Sequence, residues 1–274
     1  MPPHPDPWRA IDRQPDPERY ARAMESRGRT TAQARLRRRF LRFCRIAPGW
    51  RVLEVGSGTG VVARDLAALV GPRGRVIGID RSRVLLAAAR RRAREERLDG
   101  RLRFRLGDAA ALPLRSGRFD CALAVTVLLH VPRPEAMLRE LVRVTRPGGV
   151  VGLQDQDFGT QVLDHPDRAL TRRIFEGVTA RLYPEPFSGR TLVRRLVGLG
   201  LERVRLLADV YQARRLDPFS HGLLERRAAN AVEFGLVSAR GAARWLADIE
   251  RADAAGHFVF TFNYYGAVGT KPRA

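Results

Sequence analysis

The chain has 274 residues, 45% of them apolar and 29% charged, which is enough to bury one large core or two small ones and excludes a disordered chain, a collagen and a disulfide miniprotein. Its formal net charge is +21, from 50 basic against 29 acidic residues, a balance that ordinarily points to nucleic acid or an anionic surface. Lys271 is the only lysine, however, and the arginines run through every segment, including the backs of predicted helices such as Arg90-Arg91-Arg92, so the charge reads as a compositional preference on a solvated surface, not a selected groove. Arg35–Arg45 is the densest basic stretch, where a nucleic-acid footprint would have to lie.

Met1-Pro-Pro-His-Pro-Asp-Pro7 has neither the basic start nor the apolar stretch of a secretory signal. Residues 1–17 read as proline-rich and extended, and 18–46 as helical, ended by Pro48-Gly49. Cys44 and Cys121 offer no disulfide framework or CxxC metal pair, so a reducing cytoplasm is expected. Arg51–Val55 is a short β-rich run, and Val62, Leu66 and Leu69 follow at helical spacing until Gly71-Pro72. The next strand is Arg75–Ile79, then a helix from Ser82, a good N-cap, to about Glu96. Leu102–Leu106 and Phe119–Val125 are further strands, the latter nearly continuous in apolar character, as a strand covered on both faces should be. The apolar run Ala122–Leu129 is far short of the roughly 20 residues that span a membrane. Met137, Leu141 and Val144 mark a helix, and Arg146-Pro-Gly-Gly149 turns into a fifth strand, Val150–Leu153. Repeated strand–helix units of this length make an α/β domain with a parallel sheet and right-handed crossovers. Beyond residue 155 the alternation breaks. Leu192, Leu196 and Leu199 mark a helix ended by Gly200, Glu202–Val210 a strand, 221–254 two helices with Ser238 as cap, and Phe258–Tyr265 a final aromatic strand able to join antiparallel.

Val52-Leu-Glu-Val-Gly-Ser-Gly-Thr-Gly60 is the most informative segment: a β-run, glycines at alternate positions, then a helix. Glycine permits a tight turn and close approach of backbone N–H groups to a ligand, and the helix N-terminus adds a positive dipole end. Asp80 closes the second strand, where an acid accepts hydrogen bonds from ribose hydroxyls. No Gly-Lys-Ser/Thr follows, which excludes a P-loop, and Val61 stands where a dinucleotide loop would have its third glycine.

With these residues in place, the chain resembles the class I S-adenosylmethionine-dependent methyltransferases over about residues 48–155, and loosely as far as Gly269-Thr-Lys-Pro. Glu54–Gly60 is similar to their first motif, Asp80 to their ribose-binding acid, and Gly107-Asp108-Ala109 with Leu112-Pro-Leu to their adenine loop. Phe119–Val125, Leu129-His130 and Leu141–Gly149 complete the set in order. The resemblance implies a Rossmann-like, seven-stranded, mostly parallel sheet with an antiparallel last strand and helical lid insertions. Residues 1–47 would be an N-terminal extension with lid helices and 48–274 the methyltransferase domain, with substrate-roof insertions at about 156–188 and 217–256. It implies S-adenosylmethionine as cofactor, with Gly56, Ser57 and Gly58 against its methionine part, Asp80 on the ribose and Asp108 with Ala109 on the adenine. Thr126 would face the reactive methyl; Glu54, Gly60 and Arg81 complete the expected set.

Methyl transfer is an in-line displacement that a dry, aligned pocket accelerates by proximity and desolvation. An acceptor that loses a proton needs a base. Asp155 and Asp157 follow strand five, where such a group would sit, with a capped, solvated turn as the plainer reading. His221, like His165, lies in the inserted regions over the pocket, as a base or as an ordinary loop histidine. His130 matches a position that is usually structural in the family. Asp155, Asp157 and His165 lack a second ligand set, so no metal is expected. Trp8, Tyr20, Phe175, Tyr183, Phe187, Phe219, Phe234, Trp245 and Phe258 fall in the added segments and suit a planar or greasy acceptor, although Phe234 and Trp245, at helical spacing, read as packing.

Three functions compete on this sequence. The first is methylation of a small organic molecule, in the broad group that includes quinone-pathway and natural-product enzymes, by a monomer or a homodimer. The second is RNA methylation, supported only by charge: the chain reads Thr126-Val-Leu-Leu-His-Val-Pro after strand four, without the Asn/Asp-Pro-Pro-aromatic tetrapeptide, and Cys121 reads as core. The third is a non-catalytic protein that keeps the nucleotide pocket.

Overall fold

The computed structural model describes residues 6–273; the first five residues of the proline-rich start lie outside the described residues. Pro7–Arg13 is a 3-10 helix, not an extended run, because the Asp6 side chain accepts the Trp8 N–H and proline at the first position is already set at helical φ. The helical stretch that follows breaks into α1 (Glu18–Arg29) and α2 (Thr31–Phe43). Thr30 has an extended ψ of 141°, and its hydroxyl caps the second helix by accepting from the Gln33 N–H.

Seven strands, β1 (Arg51–Val55), β2 (Arg75–Asp80), β3 (Leu102–Leu106), β4 (Phe119–Val125), β5 (Thr145–Leu163), β6 (Glu202–Ala213) and β7 (Phe260–Thr270), form one sheet in the order 3-2-1-4-5-7-6. β1 to β5 pair in parallel, and β7 enters antiparallel between β5 and β6. The chain runs outward from β1 to β3 and then returns to place β4 on the other side of β1. The carboxyl ends of β1 and β4 therefore flank the crevice where open α/β sheets bind ligands.

Helices cover both faces. α3 (Val61–Val70), α4 (Arg83–Glu95) and the Phe40-Leu41 end of α2 pack on one side against Val52, Val76 and Leu123. α5 (Glu135–Val144) and α7 (Ser188–Gly198) pack on the other against Leu53, Ala122 and Leu153. The inward stripe of α5, Met137, Leu138, Leu141 and Val144, is fully buried, each side chain contributing about 1.5–3 kcal/mol of gross transfer free energy.

β5 is far longer than the four-residue strand expected from its apolar run, because it goes on pairing with β7 through Asp157 opposite Asn263 and, after a shift of register, through Val162 and Leu163 opposite Thr261 and Phe260. The projecting ends of β5, β6 and β7 carry a third core. There α6 (Arg168–Leu182), α8 (Pro218–Glu233) and α9 (Ala239–Ala254) close over Tyr211, Phe258, Phe260 and Phe262. The inserted segments are thus fixed to the sheet by an aromatic ladder and stand above the crevice. No helix among the described residues is long and apolar enough to cross a membrane.

Candidate active site

The end of β1 runs into three glycines with positive φ, Gly56 at +66°, Gly58 at +52° and Gly60 at +79°, a sequence of left-handed turns that residues with a Cβ make only at a cost. The Ser57 N–H donates to the Ile79 carbonyl at 3.0 Å and the Gly58 N–H to Asp80 Oδ2 at 2.8 Å. The loop is therefore tied to the end of β2. Asp80 Oδ1 accepts the Ser82 N–H at 2.9 Å, which leaves lone pairs on both oxygens for a ligand. Burial raises the Asp80 carboxyl above its ordinary value, opposed by the Ser82, Gly58 and Arg81 amides. Burial likewise drives Glu54 well up, with Asp80 and Asp65 adding to the effect. Glu54 Oε2, Ser57 Oγ and Gln154 Nε2 are buried polar atoms with no hydrogen-bond partner among the described residues, and such atoms in a native fold call for a ligand or water.

Two connected hollows open from this loop. One of about 300 Å³ runs past Gly58, Asp80, Arg81, Asp108 and Ala109 to His130, Phe158 and Tyr183. One of about 100 Å³ is lined by Glu54, Ser57 and Gln154. Gly56, Thr126, Met24 and Arg27 border both. Thr126 has φ +54°, an uncommon value for a β-branched residue, held by its N–H on the Gln154 carbonyl at 2.7 Å. Every expected cofactor residue lines one hollow or the other except Gly60. A Cβ at Gly60 would stand 2.5 Å from Phe104 Cζ, so its glycine serves the packing of α3.

The structure places the three candidate bases elsewhere. Side chains alternate along β5, so Gln154, Gln156 and Phe158 face the hollows, and Asp155 and Asp157 face away from them. Both acids are fully buried within the strand, which corrects the solvated-turn reading. Asp155 accepts the Leu129 and Gln156 N–H groups at 3.0 and 2.9 Å, and burial pushes its carboxyl up to about 6. Asp157 is held by the Arg190 guanidinium at 2.5 and 2.8 Å. His221 is exposed on α8 and pairs with Glu225 at 3.3 Å. His165 is buried beside Trp245, ring centroids 5.9 Å apart, and is not a surface histidine. Of the aromatic residues expected in the roof, Trp8, Tyr183 and Phe219 line the larger hollow, and Trp245 packs in the core.

The N-terminal segment lies against the site, as expected of lid helices, but the acids that fix it there were not legible in the sequence. Asp12 accepts the Ser82 hydroxyl at 2.5 Å and the Arg83 N–H at 2.8 Å, which clamps the 3-10 helix onto the positive end of α4. Met24 of α1 then lies against Gly58. Asp6, buried by the same fold-back, pairs with His130 Nδ1. The His130 ring lines the larger hollow between Trp8 and Tyr183, just past the exit of β4. A sequence separation of 124 residues leaves no local signal for that pair. In the basic stretch of α2, Arg35 and Arg39 reach Asp209 at 3.1 and 3.3 Å and Arg37 reaches Asp65 at 2.6 Å.

Residues 52–149 match the family model described as a methyltransferase domain. The chain is 34% identical over 223 residues to an uncharacterized 37.1 kDa protein in transposon TN4556 of Streptomyces fradiae, covering 81% of this chain and 62% of that one. It is 41% identical over 108 residues to the 2-phytyl-1,4-naphtoquinone methyltransferase of Synechococcus elongatus, covering 39% of this chain and 46% of that one. It therefore spans less than two thirds of the length of these curated relatives. Among solved structures, the [4+2]-cyclase SpnF matches with 26% identity and a TM-score of 0.56 over 90% of this chain and 85% of that one.

Proposed function

We propose, from the match of residues 52–149 to a methyltransferase domain, that the chain is a class I S-adenosylmethionine-dependent methyltransferase and transfers a methyl group to a small organic acceptor by in-line displacement. The observation that carries this reading is the bent glycine loop hydrogen-bonded to Asp80 beside the unpartnered polar atoms of Glu54, Ser57 and Gln154. Asp80 would accept the ribose hydroxyls, the Asp108–Ala109 loop would hold the adenine, and Glu54, Ser57 and Gln154 would meet the amino-acid end. When bound, S-adenosylmethionine supplies a methyl carbon activated by a sulfonium.

The rest is the work of this chain's own residues. Trp8, Phe158, Tyr183 and Phe219 wall the larger hollow and exclude water, which strengthens every electrostatic interaction inside. His130 is the proposed base for an acceptor that loses a proton. Asp6 on Nδ1 fixes the tautomer that leaves Nε2 free to take the proton, and its carboxylate stabilises the imidazolium that results. The small-molecule acceptor and a place in natural-product or quinone chemistry rest on the walls of the hollow and on the named relatives. A cytoplasmic setting is supported by the free, buried thiols of Cys44 and Cys121.

A second reading, that the hollow shapes a substrate for a reaction other than methyl transfer, is favoured by the likeness to SpnF. Calorimetric titration with S-adenosylmethionine, followed by incubation with methyl-labelled cofactor and a panel of hydroxylated aromatic acceptors, tests the proposal. Failure to bind the cofactor refutes it, and binding without label transfer to any acceptor favours the second reading. In an active preparation His130→Gln lowers kcat and leaves the cofactor Kd unchanged.

A further inference from the structure

The larger hollow is asymmetric in charge. Its acids, Asp80 and Asp108, lie only at the glycine-loop end, beside Arg81, and its remaining charged lining residues are the arginines Arg9, Arg27 of α1 and Arg226 of α8. Directly behind the α8 wall lies Arg227, 1% exposed, whose Nε, Nη1 and Nη2 have no hydrogen-bond partner among the described residues. Its guanidinium sits 4.6 Å from the Phe158 ring centroid and 5.5 Å from that of Tyr183, so the π-faces of two cavity residues are its nearest compensation.

Elsewhere this arginine-rich chain gives its largely buried guanidinium groups an acid: Arg64 meets Glu25 at 3.0 Å and Arg195 meets Glu185 at 2.7 Å. Around the hollow the pattern reverses. Arg27 donates to the Tyr264 hydroxyl at 2.9 Å and stacks over Phe219, and neither it nor Arg226 forms an ion pair among the described residues. Burial pulls Arg226 below its usual value, and repulsion from Arg27 adds to this against the pull of Tyr183 and Glu225. Burial also pulls Arg227 down, with repulsion from Arg226. A buried cation without a counter-charge is costly, and Arg227, with Arg226 and then Arg27 repelling along the rim of the hollow, makes a site that an anion would relieve.

We propose that the acceptor is an organic anion, an aromatic or apolar carboxylic acid, whose carboxylate is held by Arg226 at the α8 wall in the field of Arg227. The inference rests on the methyltransferase reading for the word acceptor, and on the geometry alone for the anion. A guanidinium fork matches a carboxylate in shape and charge, and Phe158, Tyr183 and Phe219 supply surface for the apolar body. The Tyr183 ring touches both parts, with Arg227 5.5 Å and the Phe158 ring 5.0 Å from its centroid.

The test compares 1-naphthoate with its neutral isostere 1-naphthamide by calorimetry, with and without S-adenosylhomocysteine, on the wild-type chain and on Arg226→Gln and Arg227→Met. The expected result is a naphthoate preference of about tenfold or more in the wild type, falling to within about twofold in either variant. Arg226 is exposed enough that its replacement spares the fold, and S-adenosylhomocysteine affinity in each variant reports that the cofactor site is intact. Equal affinity for the two probes, no saturable naphthoate binding, or a preference that survives either substitution overturns the inference. Failure of the wild-type chain to bind S-adenosylhomocysteine would instead remove the methyltransferase reading and leave the anion preference as measured.

Discussion

Asp80→Asn keeps the shape of the side chain and removes its charge. In the native site one carboxylate oxygen accepts the Gly58 N–H at 2.8 Å and the other the Ser82 N–H at 2.9 Å. An asparagine has a single acceptor oxygen, so its NH2 must face one of these donors and leave it unmet. A buried donor without a partner costs about 1–3 kcal/mol. Because burial already disfavours the charged carboxylate here, the neutral amide recovers part of that cost, and the fall in folding stability should lie near 1 kcal/mol. The cofactor feels a separate loss, since the acceptor for a ribose hydroxyl is halved: about 1–3 kcal/mol, or roughly 5- to 150-fold in Kd. Urea denaturation of the free protein reads the first quantity and calorimetry with S-adenosylhomocysteine the second. A variant that folds and binds within twofold of the wild type would show that Asp80 does not face the ribose. Lost stability with unchanged affinity would reduce it to a brace for the glycine loop.

Other substitutions probe different parts of the argument. Gly58→Val puts a branched side chain at φ +52° and drives its Cβ into Met24, so cofactor binding by calorimetry should fall below detection; near-native affinity would remove the loop from the site. Trp245 is fully buried, with Nε1 donating to Thr171 Oγ1 at 2.9 Å, and Trp245→Ala should cost about 3–5 kcal/mol in urea denaturation, against a loss under 1 kcal/mol if the third core were loosely packed. Asp155 titrates near 6 in the folded chain because it is buried, above its unfolded value of about 3.9. The folded state then holds the proton that the unfolded state has released, so this group's contribution is complete below about pH 4 and is lost as pH rises through about 6, roughly 3 kcal/mol in all. Stability measured from pH 4 to 7 should carry this downward component, and Asp155→Asn should remove it; an unchanged pH profile in the variant would place the titration elsewhere.

The parallel half of the sheet and the cofactor crevice could be read along the chain because each depends on local rules. Strand–helix alternation sets the crossovers, and Gly56-Ser-Gly58 followed by a helix, with Asp80 one strand later, is a contiguous pattern whose geometry follows from backbone freedom and the handedness of the crossover. The final aromatic run was legible as a strand, and its antiparallel entry was what the family resemblance implied. Two features of β5 were not legible. The length of β5 was hidden because Gln154-Asp-Gln-Asp157 is polar, and a polar run reads as a turn unless a partner strand and an ion pair from Arg190 to the buried Asp157 take up its groups. The sides taken by Asp155 and Gln156 followed from that extension, since strand alternation sends adjacent residues to opposite faces.

The acceptor end of the cavity was decided by tertiary structure alone. Asp6 and His130 meet across 124 positions, and Arg227 comes to rest against Phe158 and Tyr183 only once α8 packs on the projecting strands. Sequence determined what is built from neighbours in the chain, the fold class and the nucleotide-binding bend. Which distant charges lie together, and which are left without a counter-charge, depends on how whole elements pack, because burial and pairing are properties of the assembled core and not of any segment.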